Sequence, residues 1–221
     1  ILSGAVIKPQ AFRDLLPDVN FDEIPFDSKV ASDEMYFLQN EKSSLKVPFH
    51  PPYMGNSGNY CASLGEICRY LAAKATEKGV DIYPGFSMSD ILYDEKGDVS
   101  GAKCIDTGID HEGNKLENFV EGTRVEASIT IFAEGTRGSL AKKLIEKKNL
   151  QQGRNPQIYS LGVKELFSVP EGTIKAGEVY HTMGFPAMND NVFGGGFIYG
   201  LKDNKVAVGL ILGLDFTDPT Y

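Results

Sequence analysis

The run Ile129-Thr130-Ile131-Phe132-Ala133, followed at once by Glu134-Gly135-Thr136-Arg137-Gly138-Ser139, constrains this chain more than any other stretch. A short apolar, β-branched run bounded by a glycine turn reads as a strand buried on both faces. Ser139 is placed as an N-cap, and a helix is expected to continue through Leu140, Leu144 and Ile145. Lys147 and Lys148 stand where that helix should end, which suits the macrodipole. Strand, glycine turn and helix start in that order predict a ligand site at the carboxyl end of a parallel strand. Any αβ protein contains several such turns, so an ordinary structural turn is the competing reading.

The rest of the pattern supplies partners for that unit. Tyr60 to Lys78 reads as a helix, because Leu64, Ile67, Cys68, Leu71, Ala72 and Ala75 fall on one face. Asn59 is its expected cap and Gly79 its stop. Val80-Asp81-Ile82-Tyr83 is expected to follow as a strand, which predicts an α/β layer. Ahead of it, Pro9 opens a short helix over Ala11, Phe12, Leu15 and Leu16, and Met35 to Leu38 reads as a strand. Ile91-Leu92-Tyr93 and Val99 to Ile105 flank Asp94-Glu95-Lys96-Gly97-Asp98 as a hairpin, and Thr123 to Ala127 adds a strand after a polar excursion. Beyond Gln151 to Pro156, a candidate boundary, the chain reads mostly as strands: Ile158 to Val163, Val179 to Met183, Gly195 to Leu201 and Val206 to Leu214.

Charge and cysteines narrow the function. A net charge of -8 argues against a nucleic-acid partner and against electrostatic docking to anionic lipid. Cys61, Cys68 and Cys104 have neither CxxC pairing nor a histidine at metal spacing, so no metal site is read from them. Cys61 and Cys68 are expected to pack on one apolar helix face in a reducing compartment. No signal peptide and no membrane-spanning run is apparent, and neither end reads as a natural terminus. His50, His111 and His181 are isolated, and a structural role is the expectation for His181. There is no nucleophile–base pair, so no catalytic residue is assigned.

The short matches Leu2-Ser3-Gly4-Ala5, Gly58-Asn59-Tyr60, Tyr83-Pro84-Gly85, Phe132-Ala133-Glu134-Gly135, His181-Thr182, Gly184-Phe185-Pro186 and Gly194-Gly195 follow in one order. In that order the chain resembles the electron transfer flavoprotein–ubiquinone oxidoreductases over nearly its whole length. The resemblance implies a middle slice: part of an FAD-binding, Rossmann-like domain over residues 1–150 with an inserted antiparallel meander, then part of a β-rich ubiquinone-binding domain over 151–221, a mixed α/β and α+β fold. The family's G-x-G-x-x-G unit would precede Ile1, and the cysteines of its 4Fe-4S cluster would follow Tyr221, so the isolated slice is expected to be inactive.

The implied activity passes electrons from an electron transfer flavoprotein through FAD and the cluster to ubiquinone, at a bacterial or mitochondrial inner membrane. Ser3, Gly4, Glu134 and Gly135 are the implied FAD contacts. Phe193, Gly194 and Gly195 are the implied quinone contacts, where bare backbone would meet a flat ring. A glycine-rich structural bulge is the competing reading there. Ala11-Phe12 with Leu15-Leu16 is the expected monotopic membrane surface. Phe167 and Phe185 stand where the family often has Trp, and Ser63 where related flavoproteins often place a cofactor-facing Arg. Two alternatives remain: a geranylgeranyl-reductase-like or aromatic-hydroxylase-like FAD enzyme, and a cofactor-free module that binds an apolar ligand.

Overall fold

The computed structural model describes residues 6–50, 54–190 and 192–216. In chain order the elements are β1 (Val6–Ile7), α1 (Gln10–Leu15), β2 (Phe26–Lys29), β3 (Ser32–Asn40), β4 (Ser43–Val47), β5 (Tyr60–Ala62) and α2 (Leu64–Glu77). Then come β6 (Met88–Tyr93), β7 (Val99–Cys104), β8 (Thr107–Ile109), β9 (Lys115–Val120), β10 (Arg124–Glu126) and α3 (Leu140–Lys147). The last strands are β11 (Ser160–Ser168), β12 (Glu178–Gly184), β13 (Gly194–Leu201) and β14 (Lys205–Gly213). The fold is mixed α+β and rich in sheet.

Two compact units form. One joins residues 1–81 to 157–221; the other is the intervening 82–156. The first is built on a six-stranded sheet in the order β11-β14-β13-β12-β3-β4. All its pairings are antiparallel except β12 with β3. A small antiparallel sheet, β1-β5-β2, accompanies it. Alternation along the strands decides the core. Val179, Phe197, Tyr199 and Ala207 project from one face of the large sheet onto Cys61, and Val179 and Cys61 are fully buried. A second cluster joins Phe12, Ile24, Ala62 and Ile67.

This second cluster corrects one expectation. Phe12 and Leu16 of the presumed membrane surface are buried, whereas Ala11 and Leu15 are exposed. A short helix with its aromatic residue against Phe26 gains more from the core than from solvent. Among the described residues no helix is long and apolar enough to cross a membrane. The cysteine reading also changes. Cys61 lies in β5, and Tyr60 to Ala62 form strand rather than the start of α2, so Asn59 does not cap the helix. Cys61 is buried while Cys68 is exposed. Gly79, at φ +83°, does end the helix region.

The second unit is a meander, β10-β7-β6, with the β8-β9 hairpin in the polar excursion and α3 behind β6. Lysines fasten α3. Lys143 Nζ donates to the Ser89 carbonyl and Asp90, Lys148 Nζ donates to the Gly97 carbonyl, and Lys147 Nζ stands 3.3 Å from the centroid of the Tyr93 ring. The predicted central strand is absent. Ile129 to Ala133 have no strand partner among the described residues, and Ile129 and Ile131 are 81% and 83% exposed. A strand is a property of a ladder, and a β-branched run without an edge to pair has no backbone partner to fix it. Val80 to Tyr83 fail as a strand for the same reason.

Candidate functional site

Two groups of residues carry the candidate chemistry, one in each unit. In residues 82–156 it is the turn ahead of α3. Gly135 has φ +79°, a conformation L side chains rarely adopt, and a Cβ built on it would meet nothing within 4 Å. The backbone there is open to close approach. An apolar cavity of about 250 Å³ is walled by Ala127, Ile129, Phe132, Glu134 and Leu140.

Glu134 has a local task. Its carboxylate accepts the Leu140 N–H at 3.1 Å and the Ala141 N–H at 2.6 Å. These donors hold its pKa below the ordinary carboxylate value. Ser139, the expected cap, makes no side-chain cap bond. Glu134 reaches back over the turn because two glycines, Gly135 and Gly138, let the chain fold against the helix start. The donor set therefore divides for a flavin nucleotide. Open backbone at Gly135 fits a flat ring or a ribityl chain, whereas the N–H groups of Leu140 and Ala141 already hold a carboxylate and are not free for a pyrophosphate. Ser3 and Gly4 lie outside the described residues.

In the other unit the glycines Gly194, Gly195 and Gly196 lie in β13 with continuous register to β14, so no bulge forms. A Cβ on Gly195 would stand 2.2 Å from the Thr182 carbonyl oxygen, and one on Gly194 would stand 2.5 Å from that of Ile211. The sequence is glycine-rich here because neighbouring strands come this close. Phe193, just outside the strand, is 80% exposed. Gly195, Phe197 and Tyr199 share one face by alternation.

A polar network that sequence reading missed lies on that face. Asp33 in β3 accepts the backbone N–H and the side-chain amide of Asn56 at Oδ2, at 2.8 and 3.1 Å. Its Oδ1 is buried with no hydrogen-bond partner meeting full geometry, and His181 Nδ1 stands 3.5 Å from it. The other ring nitrogen, Nε2, is 3.1 Å from the Tyr199 hydroxyl. His50 Nδ1 lies 3.8 Å from Asp33 Oδ2. Burial lowers the His181 pKa, opposed by the Asp33 charge, and burial raises that of Tyr199. No spacing in the sequence links these residues; only the parallel pairing of β3 with β12, which sets Asp33 beside Val179 and Met35 beside His181, brings them together.

Among the described residues no group of three or more His, Cys, Asp or Glu side chains converges as a metal site, so nothing here fits an iron–sulfur cluster.

Residues 159–221, which hold β11 to β14, match the family described as "ETF-QO, ubiquinone-binding". Over 99% of its length the chain is 46% identical to a probable mitochondrial electron transfer flavoprotein-ubiquinone oxidoreductase of Schizosaccharomyces pombe, covering 34% of that protein. It is 44% identical over 99% of its length to the electron transfer flavoprotein-ubiquinone oxidoreductase of Pseudomonas aeruginosa, covering 40%. The chain thus spans between a third and two fifths of the length of these relatives. Among solved structures it is similar to a flavin-dependent brominase variant, with TM-score 0.58, 14% identity and 97% of this chain against 48% of that one. A Klebsiella pneumoniae protein solved with FAD gives 0.52 and 11%, with 99% against 50%. At these identities the structural likeness speaks for the fold alone.

Proposed function

We propose that this chain, a segment of the electron transfer flavoprotein–ubiquinone oxidoreductase family, forms the parts of such an enzyme that hold FAD at one end and receive ubiquinone at the other. The observation that carries the reading is the ubiquinone-binding match, because it falls on the strands that include the glycine strand and its exposed neighbour Phe193. Residues 1–150 are assigned to the FAD domain and 151–221 to the quinone domain.

When bound, FAD supplies the electron-transfer chemistry. The chain's own residues position and exclude. Gly135 offers unobstructed backbone to the cofactor, with Ser3 and Gly4 as further contacts, and Glu134 fixes the turn through α3. Phe193 offers an apolar wall to the quinone ring, while Gly194 and Gly195 keep that part of the sheet free of side chains. Electron transfer flavoprotein is the donor and ubiquinone the acceptor. The setting is the surface of a bacterial or mitochondrial inner membrane, and a 4Fe-4S cluster lies on residues outside this segment.

The test uses the intact enzyme and separates the two half-reactions. Phe193→Ala removes an exposed ring, so fold and flavin content should stay unchanged, and flavin reduction by the donor should keep its rate. The KM for a short-tailed ubiquinone should rise several-fold. Unchanged quinone kinetics in this variant would take the quinone away from this edge. A colourless wild-type enzyme would remove the cofactor assignment.

A further inference from the structure

Of the three glycines that open β13, Gly194 and Gly195 are bare because neighbouring carbonyl oxygens, those of Ile211 and Thr182, stand where a Cβ would be. Gly196 is bare for another reason. A Cβ there would stand 2.7 Å from the Thr182 hydroxyl oxygen, Oγ1. The Gly196 N–H donates to that oxygen at 3.0 Å. Thr182 and Gly196 form the last pair of the ladder between β12 and β13. Beyond it β12 stays with β3 as far as the pairing of Gly184 with Leu38, while Gly195 and Gly194 pair with β14. The hydroxyl therefore sits at the mouth where β12 and β13 part.

Strand pairing also fixes what surrounds it. Val163, Leu210, Gly196, Thr182 and Tyr36 stand opposite one another in successive strands, so they form one row on one face. Alternation makes this the face away from Phe197 and Tyr199. Val163 and Leu210 are exposed. Adjacent strands lie about 4.8 Å apart, so bare Gly196 leaves a gap about 10 Å wide between Leu210 and Thr182, the breadth of one flat ring. Leu212 leans over Gly194, its Cδ2 2.8 Å from where a Cβ would be, and closes one side. In this row the Tyr36 hydroxyl is already bound to Glu34 at 2.7 Å. Thr182 is not spent in that way. A hydroxyl has one proton and two lone pairs. The Gly196 bond uses a lone pair, and among the described residues no acceptor takes the proton.

We infer that Thr182 is the side-chain donor that orients the quinone: the ring lies over Gly196, and the Thr182 O–H donates to one of its carbonyl oxygens. This rests on the quinone reading given above. The bond positions the ring, and the hydroxyl keeps its proton throughout. Donation from the Gly196 N–H polarises the Thr182 O–H and strengthens the bond it makes in turn. A bare floor admits a flat ring in many orientations, and one directional donor at its edge selects among them.

The experiment uses the intact holoenzyme, with a short-tailed ubiquinone isotope-labelled at its carbonyl carbons as probe. Thr182→Val keeps the branched shape and loses the hydroxyl, and Thr182→Ser keeps the hydroxyl. Gly196→Ala leaves the hydroxyl in place but crowds it. Thr182→Val and Gly196→Ala should keep their flavin and the rate of their reduction by the donor, while KM for the quinone rises about three- to tenfold and kcat changes less. Thr182→Ser should return KM to within about twofold of wild type. In the infrared, one carbonyl band of the bound quinone should lie below its free position in wild type and in Thr182→Ser, and move back up in Thr182→Val. A merely structural threonine would not move that band. Both bands at their free positions in the wild-type complex overturn the donor without any variant. Wild-type KM and bands in Thr182→Val overturn it too. Loss of flavin or of fold in both Thr182→Val and Gly196→Ala assigns the hydroxyl to the sheet and has the same consequence. Wild-type enzyme that reduces no quinone removes the functional reading and this inference together. A KM that rises in Phe193→Ala but not in Thr182→Val removes this inference alone.

Discussion

Removing the Glu134 carboxylate tests the site where the structure departs most from expectation. The carboxylate accepts two N–H groups at the start of α3, at 3.1 and 2.6 Å, and it is mostly exposed. A lost side-chain cap costs about 1 kcal/mol, within about 0.5–2. The interaction of the negative charge with the helix dipole adds about 0.3–1 kcal/mol, at the low end here because solvent and salt screen it. Glu134→Ala should therefore weaken α3 by about 1–2 kcal/mol, and Glu134→Gln, which keeps an acceptor, by about 0.5–1 kcal/mol.

The pH dependence follows from the direction of the pKa shift. The folded pKa lies below the ordinary 4.5, so the carboxylate's contribution is complete above that value and fades as pH falls through the lower, folded one. The difference between wild type and Glu134→Gln should be flat near neutrality and shrink in acid. In a protein with two compact units a single melting curve mixes transitions, so amide hydrogen exchange in α3 is the better assay. Faster exchange at Leu140 and Ala141 is expected in both variants. Unchanged exchange at these amides, with a fall in flavin content instead, would mean that the carboxylate serves the cofactor and not the helix.

Gly135→Val should lower flavin content in the intact enzyme more than it lowers quinone affinity. The positive φ costs a branched residue about 1–3 kcal/mol, and no neighbour within 4 Å supplies another cause; normal flavin occupancy would end the assignment. Gly195→Ala should destabilise the sheet of the larger unit, read by urea unfolding, because its Cβ meets the Thr182 carbonyl oxygen at 2.2 Å. A variant as stable as wild type would show that β12 and β13 are not packed this way. One thiol should react quickly with an aromatic disulfide reagent near pH 8: Cys68 is exposed, whereas Cys104 is buried and Cys61 is buried with its pKa pushed up to about 11. Three fast thiols would contradict the core. Burial lowers the His181 pKa below 6.5, so the unfolded chain binds that proton first and stability should fall as pH drops below 6.5. His181→Gln should flatten that slope in a pH series of unfolding curves.

The sequence by itself determined those elements whose signal is local. The 3.6-residue period of Leu64, Ile67 and Leu71 is α2, the Asp94 to Asp98 turn joins β6 to β7, and β12 to β14 lie within one residue of their expected ends, whereas β11 runs on to Ser168, past the expected end at Val163. The ordered short matches were enough to reach the family that the comparisons return. Tertiary structure alone decided what depends on a distant partner. The apolar run at Ile129 to Ala133 has strand composition, but a ladder needs an edge, and composition cannot say whether one is there. Ser139 has the identity of a cap, yet Glu134 takes the role because the turn brings a stronger acceptor to the same donors. Phe12 reads as a membrane residue only through the family resemblance, because the bare apolar pattern is more often core, and Ile24 and Ile67 are what cover it. His181 looked isolated because hydrogen-bond partners in a sheet are set by strand register, which joins it to Asp33 and Tyr199 from opposite ends of the chain.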